Sequence, residues 1–191
     1  MILKIGTGAL IGIIVGAIVV IILLWYISTL NKLRRLEVKI EESSSGIDVA
    51  LTKRYDLLTK MLATTKGYAK HEAETLENVI KWRNGIPANA TMEEKSEFAA
   101  SMSKVVSGLN VVMEQYPDLK ASQMFAQFNA AITDTEEHLQ AARRLYNSNV
   151  STLNSLIVTF PTSIVANAAH IQKKAFFEAE EIKRQDVKIE F

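Results

Sequence analysis

The sequence predicts an all-α protein. An N-terminal transmembrane helix leads into a long antiparallel up-and-down helical bundle, three long helices plus a short fourth, followed by an extended C-terminal tail. Three observations predict it. The run from Ile5 to Ile27 carries no charge. Beyond it, apolar residues recur at spacings of three and four, the period of one helix face. The three prolines of the chain all fall between these periodic segments, where a helix has to stop.

As a helix, the Ile5–Ile27 run spans about 34 Å, enough for a hydrocarbon core of about 30 Å. Trp25 and Tyr26 close it, and amphipathic rings favour the headgroup layer. Lys32, Arg34 and Arg35 follow at once. A cleaved signal peptide would have a shorter apolar core and a small-residue cleavage site, and a buried core helix would carry polar residues on one side. Only Lys4 precedes the run, whereas Lys32, Arg34, Arg35 and Lys39 come after it. The positive-inside rule then predicts residues 1–4 outside and 5–27 across the cytoplasmic membrane. The bundle of 28–172 and a tail of 173–191 would lie in the cytoplasm. Gly8, Gly12 and Gly16 make a small-xxx-small stripe on one helical face, a pattern that lets two membrane helices approach closely and self-associate.

The first long helix carries a stripe of Leu33, Leu36, Ile40, Ile47, Leu51, Leu58 and Leu62. Leu76 and Val79 would extend it to about Arg83. Ser43-Ser44-Ser45-Gly46 is its weak point, because serine competes for backbone hydrogen bonds and glycine costs about 1 kcal/mol relative to alanine. Gly85 and Pro87 break the chain, and Thr91 with Glu94 forms a capping box for the next helix. That helix carries Phe98, Met102, Val105, Leu109, Val112 and Tyr116, and Pro117 ends it. Asp118 suits the N-cap of the third helix. The third seam is Phe125, Phe128, Ile132, Thr135, Leu139, Ala142, Tyr146, Val150, Leu153, Ile157 and Phe160. Its alternating steps describe a narrow, coiled-coil-like seam. Pro161 stops it, and Thr162 or Ser163 can cap a short fourth helix through Ile164 to Ile171. Val187–Phe191 alternates apolar and charged residues, and is expected to lie extended on the bundle or across a neighbouring subunit.

A net charge of +1 excludes a global electrostatic pull toward nucleic acid. The absence of cysteine removes disulfides, thiolate metal sites and thiol nucleophiles. His71-Glu72 lacks the second histidine of a zinc-peptidase helix. Asp134 and His138 stand four residues apart without a third ligand, so a solvated helix face explains them better than a metal. His170 is isolated. No phosphate-binding loop, dinucleotide fingerprint or nucleophile elbow occurs. No catalytic, cofactor-binding or metal site is expected.

Several strings together carry a resemblance. They are Ile47-Asp48-Val49-Ala50-Leu51-Thr52-Lys53-Arg54-Tyr55-Asp56-Leu57-Leu58 with Thr65-Lys66-Gly67-Tyr68, then Tyr116-Pro117-Asp118-Leu119-Lys120-Ala121. Ala142-Arg143-Arg144-Leu145-Tyr146-Asn147 follows with Val150, Asn154, Phe160-Pro161 and Phe176-Phe177-Glu178. In this order, beside an N-terminal anchor, the set resembles the LemA family of bacterial membrane-anchored proteins. The resemblance implies a long antiparallel bundle tied to the cytoplasmic membrane, and no established catalytic activity. A related branch includes proteins of magnetosome membrane formation. The chain departs from the family pattern at Thr59, where a proline is common, and at Ala168-Ala169-His170-Ile171, where a glycine-rich turn is usual.

Polar residues at seam positions are the sharpest candidates. With helices one and three antiparallel, Asp56 can pair with Arg143 or Arg144 as a charge-assisted clamp that fixes register. The alternative is a docking surface that includes Tyr146. The functional expectation is a non-enzymatic, membrane-anchored scaffold that self-associates, with the lipid bilayer, further copies of the chain and an unidentified protein as partners, and no nucleic acid. A monomeric signalling adaptor is the alternative, and membrane remodelling is the weaker one.

Overall fold

The computed structural model describes residues 7–65, 87 and 90–178. Among these residues all regular structure is helical, so the all-α class holds: α1 Thr7–Thr65, α2 Met92–Gln115, α3 Pro117–Lys120, α4 Gln123–Val158 and α5 Thr162–Ala168. The expected extension of the first helix to Arg83, the turn at Gly85, the His71-Glu72 pair and the Val187–Phe191 tail lie outside the described residues.

Helix ends follow local chemistry. Thr91 Oγ1 accepts from the Glu94 backbone N–H at 3.2 Å, while Thr91 N–H donates to Glu94 Oε2 at 2.6 Å. This is the expected capping box. Tyr116, held extended by Pro117, follows α2 with φ −122° and ψ 84°. Asp118 does not cap the long helix after it. It sits in the single turn of α3, and Ser122 Oγ accepts from Phe125 N–H at 3.3 Å to start α4. Thr162 likewise does not cap α5. Its hydroxyl donates back to the carbonyls of Leu156 and Thr159, and so closes the end of α4. The N-cap position of α5 is taken by Pro161, which makes no side-chain bond.

The Ser43–Gly46 segment does not interrupt α1. Ser43 is buried. A Cβ on Gly46 would stand 4.0 Å from Ala142 Cβ of α4. Small side chains there let two helices approach, and that packing outweighs the propensity cost of about 1 kcal/mol.

The chain divides into two compact units, Met1–Ile40 with Asn149–Lys174, and Glu41–Ser148 with Ala175–Phe191. In the second unit, Lys95 of α2 reaches Ser44 and Asp48 of α1, while Arg54 and Tyr55 meet Ser103 and Phe98. Partner numbers rise together, so α1 and α2 run parallel. Gly46 faces Ala142 and Lys53 pairs with Asp134, so α4 is antiparallel to both. Ile47, Leu51 and Leu58 of α1, Phe98, Val105 and Leu109 of α2, and Phe125 and Leu139 of α4 are buried. Each contributes about 1.5–3 kcal/mol by leaving water.

In the first unit, Thr29, Leu33, Leu36 and Ile40 of α1 are buried, as are Val150 and Leu153 of α4, Val165 and Ala166 of α5, and Ile171. Asn149 Nδ2 donates to the Lys39 carbonyl at 3.3 Å. From Thr7 to Trp25 every α1 side chain is exposed. This helix is long and apolar enough to cross a membrane.

Candidate functional site

Past α5 the chain is non-helical from Ile171 to Glu178. In the second unit, Ala175–Glu178 lies extended against α4 and α2. Asn147 Oδ1 accepts from Phe177 N–H at 2.8 Å, and Asn147 Nδ2 donates to the Phe177 carbonyl at 3.0 Å. One side-chain amide thus reproduces the paired hydrogen bonds that a neighbouring strand would supply. Tyr146 OH donates to the Ala175 carbonyl at 2.9 Å. Arg143 and Ser96 Oγ both donate to the Glu178 carbonyl at 3.0 Å. The Phe177 ring is buried, with the Arg143 guanidinium 4.4 Å from its centroid, a cation–π contact of about 0.5–2 kcal/mol. Burial pushes the Tyr146 hydroxyl above its ordinary pKa.

Of the three residues expected to act on the third long helix, α4, the tail of the chain engages two. Arg143 and Tyr146 hold the strap. Arg144 is exposed. Asp56 is also exposed and pairs with neither arginine. The charged links between α1 and its neighbours fall elsewhere. Lys53 Nζ meets Asp134 Oδ2 at 3.0 Å across exposed side chains. Arg54, nearly fully buried, pairs with Glu136 at 2.8 Å and donates to Ser103 Oγ at 3.2 Å. Lys95, also buried, lies 2.6 Å from Asp48 Oδ1 and donates to Ser44 Oγ at 3.0 Å. The Lys53 ammonium, by hydrogen bond and charge, holds the Asp134 carboxyl below its ordinary pKa.

Lys95 is the residue that sequence reasoning did not single out, whereas Asn147 stood among the polar seam residues of the third long helix. Lys95 is in phase with Phe98 and Met102, which is the signal that placed it inward. Asn147 follows Tyr146 at the flank of the α4 seam. Nothing in its spacing distinguishes a strap-holding amide from a solvated one.

The first unit holds the membrane-interface candidates. Trp25 is exposed and Tyr26 half-buried. Arg34 pairs with Glu37 at 2.8 Å. Lys32, Arg35 and Lys39 line one open groove of about 550 Å³ with Leu24, Ile27 and Leu36. Here too an asparagine brackets the chain after α5. Asn154 accepts from Lys174 N–H and donates to the Lys174 carbonyl, both at 2.9 Å. At Gly8, Gly12 and Gly16 an added Cβ would meet nothing within 4 Å, so the small-residue stripe is uncovered.

His138 Nε2 lies 3.4 Å from Asp134 Oδ1, but both are exposed and Asp134 is engaged by Lys53. Among the described residues, no three metal-ligating side chains converge.

The sequence model of the LemA family matches residues 43–191. That span takes in all of the second unit's α2 and the whole strap. The chain is also similar to Protein LemA of Metamycoplasma hominis, with 35% identity over 85% of this chain and 74% of the relative. On the extent of these two matches, and with the strings that grip the strap inside them, the chain belongs to the LemA family.

Proposed function

We propose that this protein is a non-enzymatic scaffold, anchored in the cytoplasmic membrane by α1, that self-associates and presents a docking surface there. One observation carries the reading. Within a single unit, α1 bears both a fully exposed apolar run and the buried seam Leu33, Leu36 and Ile40. The helix that would span the bilayer is therefore also a wall of the folded bundle. Confinement to two dimensions raises effective concentration, so weak lateral contacts suffice for assembly. The uncovered Gly8–Gly12–Gly16 stripe supports contact between spans. The excess of Lys and Arg after the run supports an N-terminus outside and the bundle inside.

The chain has no cysteine, so the introduced thiol in Ala9→Cys is unique. In bilayers this variant is expected to give disulfide-linked dimers on oxidation, and Gly12→Leu in the same background is expected to abolish them. Absence of any adduct, together with a monomeric mass in lipid nanodiscs, would overturn self-association.

The adaptor reading keeps one supporting observation. Arg144 and Leu145, in the same string as the strap-holding residues, are exposed. Arg144→Gln is therefore the clean probe of partner docking, because Arg143 variants also release the chain's own tail.

A further inference from the structure

Phe160, in the turn between α4 and α5, is the most exposed large hydrophobic side chain among the described residues, at 76%, with Val158 and Ile164 beside it at 59% and 56%. Its height in the first unit follows from the α1–α4 pairing. The Asn149–Lys39 hydrogen bond ties the two antiparallel helices together. From there Val158 lies about 14 Å along α4, and Thr29 lies about 15 Å in the same direction along α1. Thr29 is also where the buried seam of α1 ends. Phe160, beyond Val158, stands level with Trp25–Ser28, where the apolar run ends.

Charge supports the same placement. In a chain that is 23% charged, no Asp, Glu, Lys or Arg occurs from Asn149 to Gln172. Cations of this unit flank that zone: Lys32, Arg34, Arg35 and Lys39 on α1, where Arg34 pairs with Glu37, and Lys173 and Lys174 after α5. Apolar and aromatic side chains at the tip, with lysines and arginines behind them, match the layers of a bilayer surface with anionic headgroups. A solvent-facing turn would gain nothing from an exposed phenylalanine.

We propose that the α4–α5 turn is a second, non-spanning membrane contact, in which Phe160, flanked by Val158 and Ile164, enters the acyl–headgroup boundary of the bilayer that α1 crosses. The proposal rests on the anchor reading above and adds a second point of attachment. Two points restrict how the α1–α4 pair can tilt on the membrane.

The test uses the absence of native cysteine. Full-length Ile18→Cys, Phe160→Cys, Ile164→Cys and Ser151→Cys are each labelled with bimane and reconstituted into phosphatidylcholine–phosphatidylglycerol vesicles containing doxyl-labelled lipid. Labels at 18, 160 and 164 are expected to be quenched several-fold more than the label at 151, with 160 and 164 quenched chiefly by the shallow doxyl position. The 164 reporter keeps the Phe160 ring in place. Strong quenching at 18, with 160 and 164 no different from 151, would overturn the second contact and leave the anchor standing. No quenching at 18 would overturn the anchor and this proposal together.

Discussion

Removing the Asn147 amide should free the strap without unfolding the helices that hold it. The side chain makes two hydrogen bonds to one residue, at 2.8 Å and 3.0 Å. Each is worth about 1 kcal/mol net, and a backbone group left unpaired out of water costs about 1–3 kcal/mol more. Phe177 is buried and Asn147 half-buried, so part of that extra cost applies. Asn147→Ala is then expected to lower the free energy of local strap opening by about 2–3 kcal/mol. Native-state hydrogen exchange reads this directly. The Phe177 amide should exchange about 30- to 150-fold faster, while amides in the middle of α4 keep their protection. Asn147→Asp should be at least as damaging, because it keeps the acceptor but sets an oxygen against the Phe177 carbonyl. Unchanged exchange over Ala175–Glu178 in both variants would show that Phe177 packing alone holds the strap, and would refute the amide-pairing argument.

Three further outcomes follow from the geometry. Asp48→Ala leaves the buried Lys95 ammonium with Ser44 and should cost about 2 kcal/mol in urea unfolding, less than for a fully buried pair because Asp48 is partly exposed. Lys95→Met should cost under about 1 kcal/mol. His170 holds φ at 53° at the end of α5, a left-handed conformation that a Cβ disfavours. His170→Gly should therefore raise stability by about 1 kcal/mol, seen as a higher urea midpoint. The Asp134 carboxyl is held below its ordinary value by Lys53, so its contribution is complete above the unfolded-state pKa and is lost as pH falls through the lower folded one. Subtracting the acid limb of Asp134→Asn from that of the native chain should isolate a small difference confined to that window, in urea midpoints measured from neutral to strongly acid pH.

The strap alters what the family strings mean. Arg143, Tyr146 and Asn147 read naturally as a surface kept for a partner, yet in the second unit they close on Ala175–Glu178. A surface filled by the chain's own backbone acts first as an intramolecular latch. Any external peptide would have to displace two amide bonds and a buried ring. The exposed Arg144 and Leu145 carry no such cost.

What was legible in the sequence divides along a physical line. Helical class, the capping box at Thr91, the stops at Pro117 and Pro161, and seam residues from Leu33 to Leu153 were readable because burial and capping act on residues close in the chain. Among the described residues, the seam was misjudged at its ends. Tyr116 and Phe160 continue the three-four rhythm but lie past the last helical turn, where periodicity no longer fixes direction. The polar contacts were not readable in detail. Asp56, Lys53 and Arg54 sit within one helical turn, and which of them faces α4 depends on a rotation and a register that small residues such as Gly46 and Ala142 set from a distance. The departure at Ala168–Ile171 behaves differently. The glycine-rich turn expected from the resemblance is absent, and His170 itself takes the left-handed backbone. The turn's geometry is thus set by the packing of Val165, Ala166 and Ile171 on either side of it, and the local sequence bears the strain.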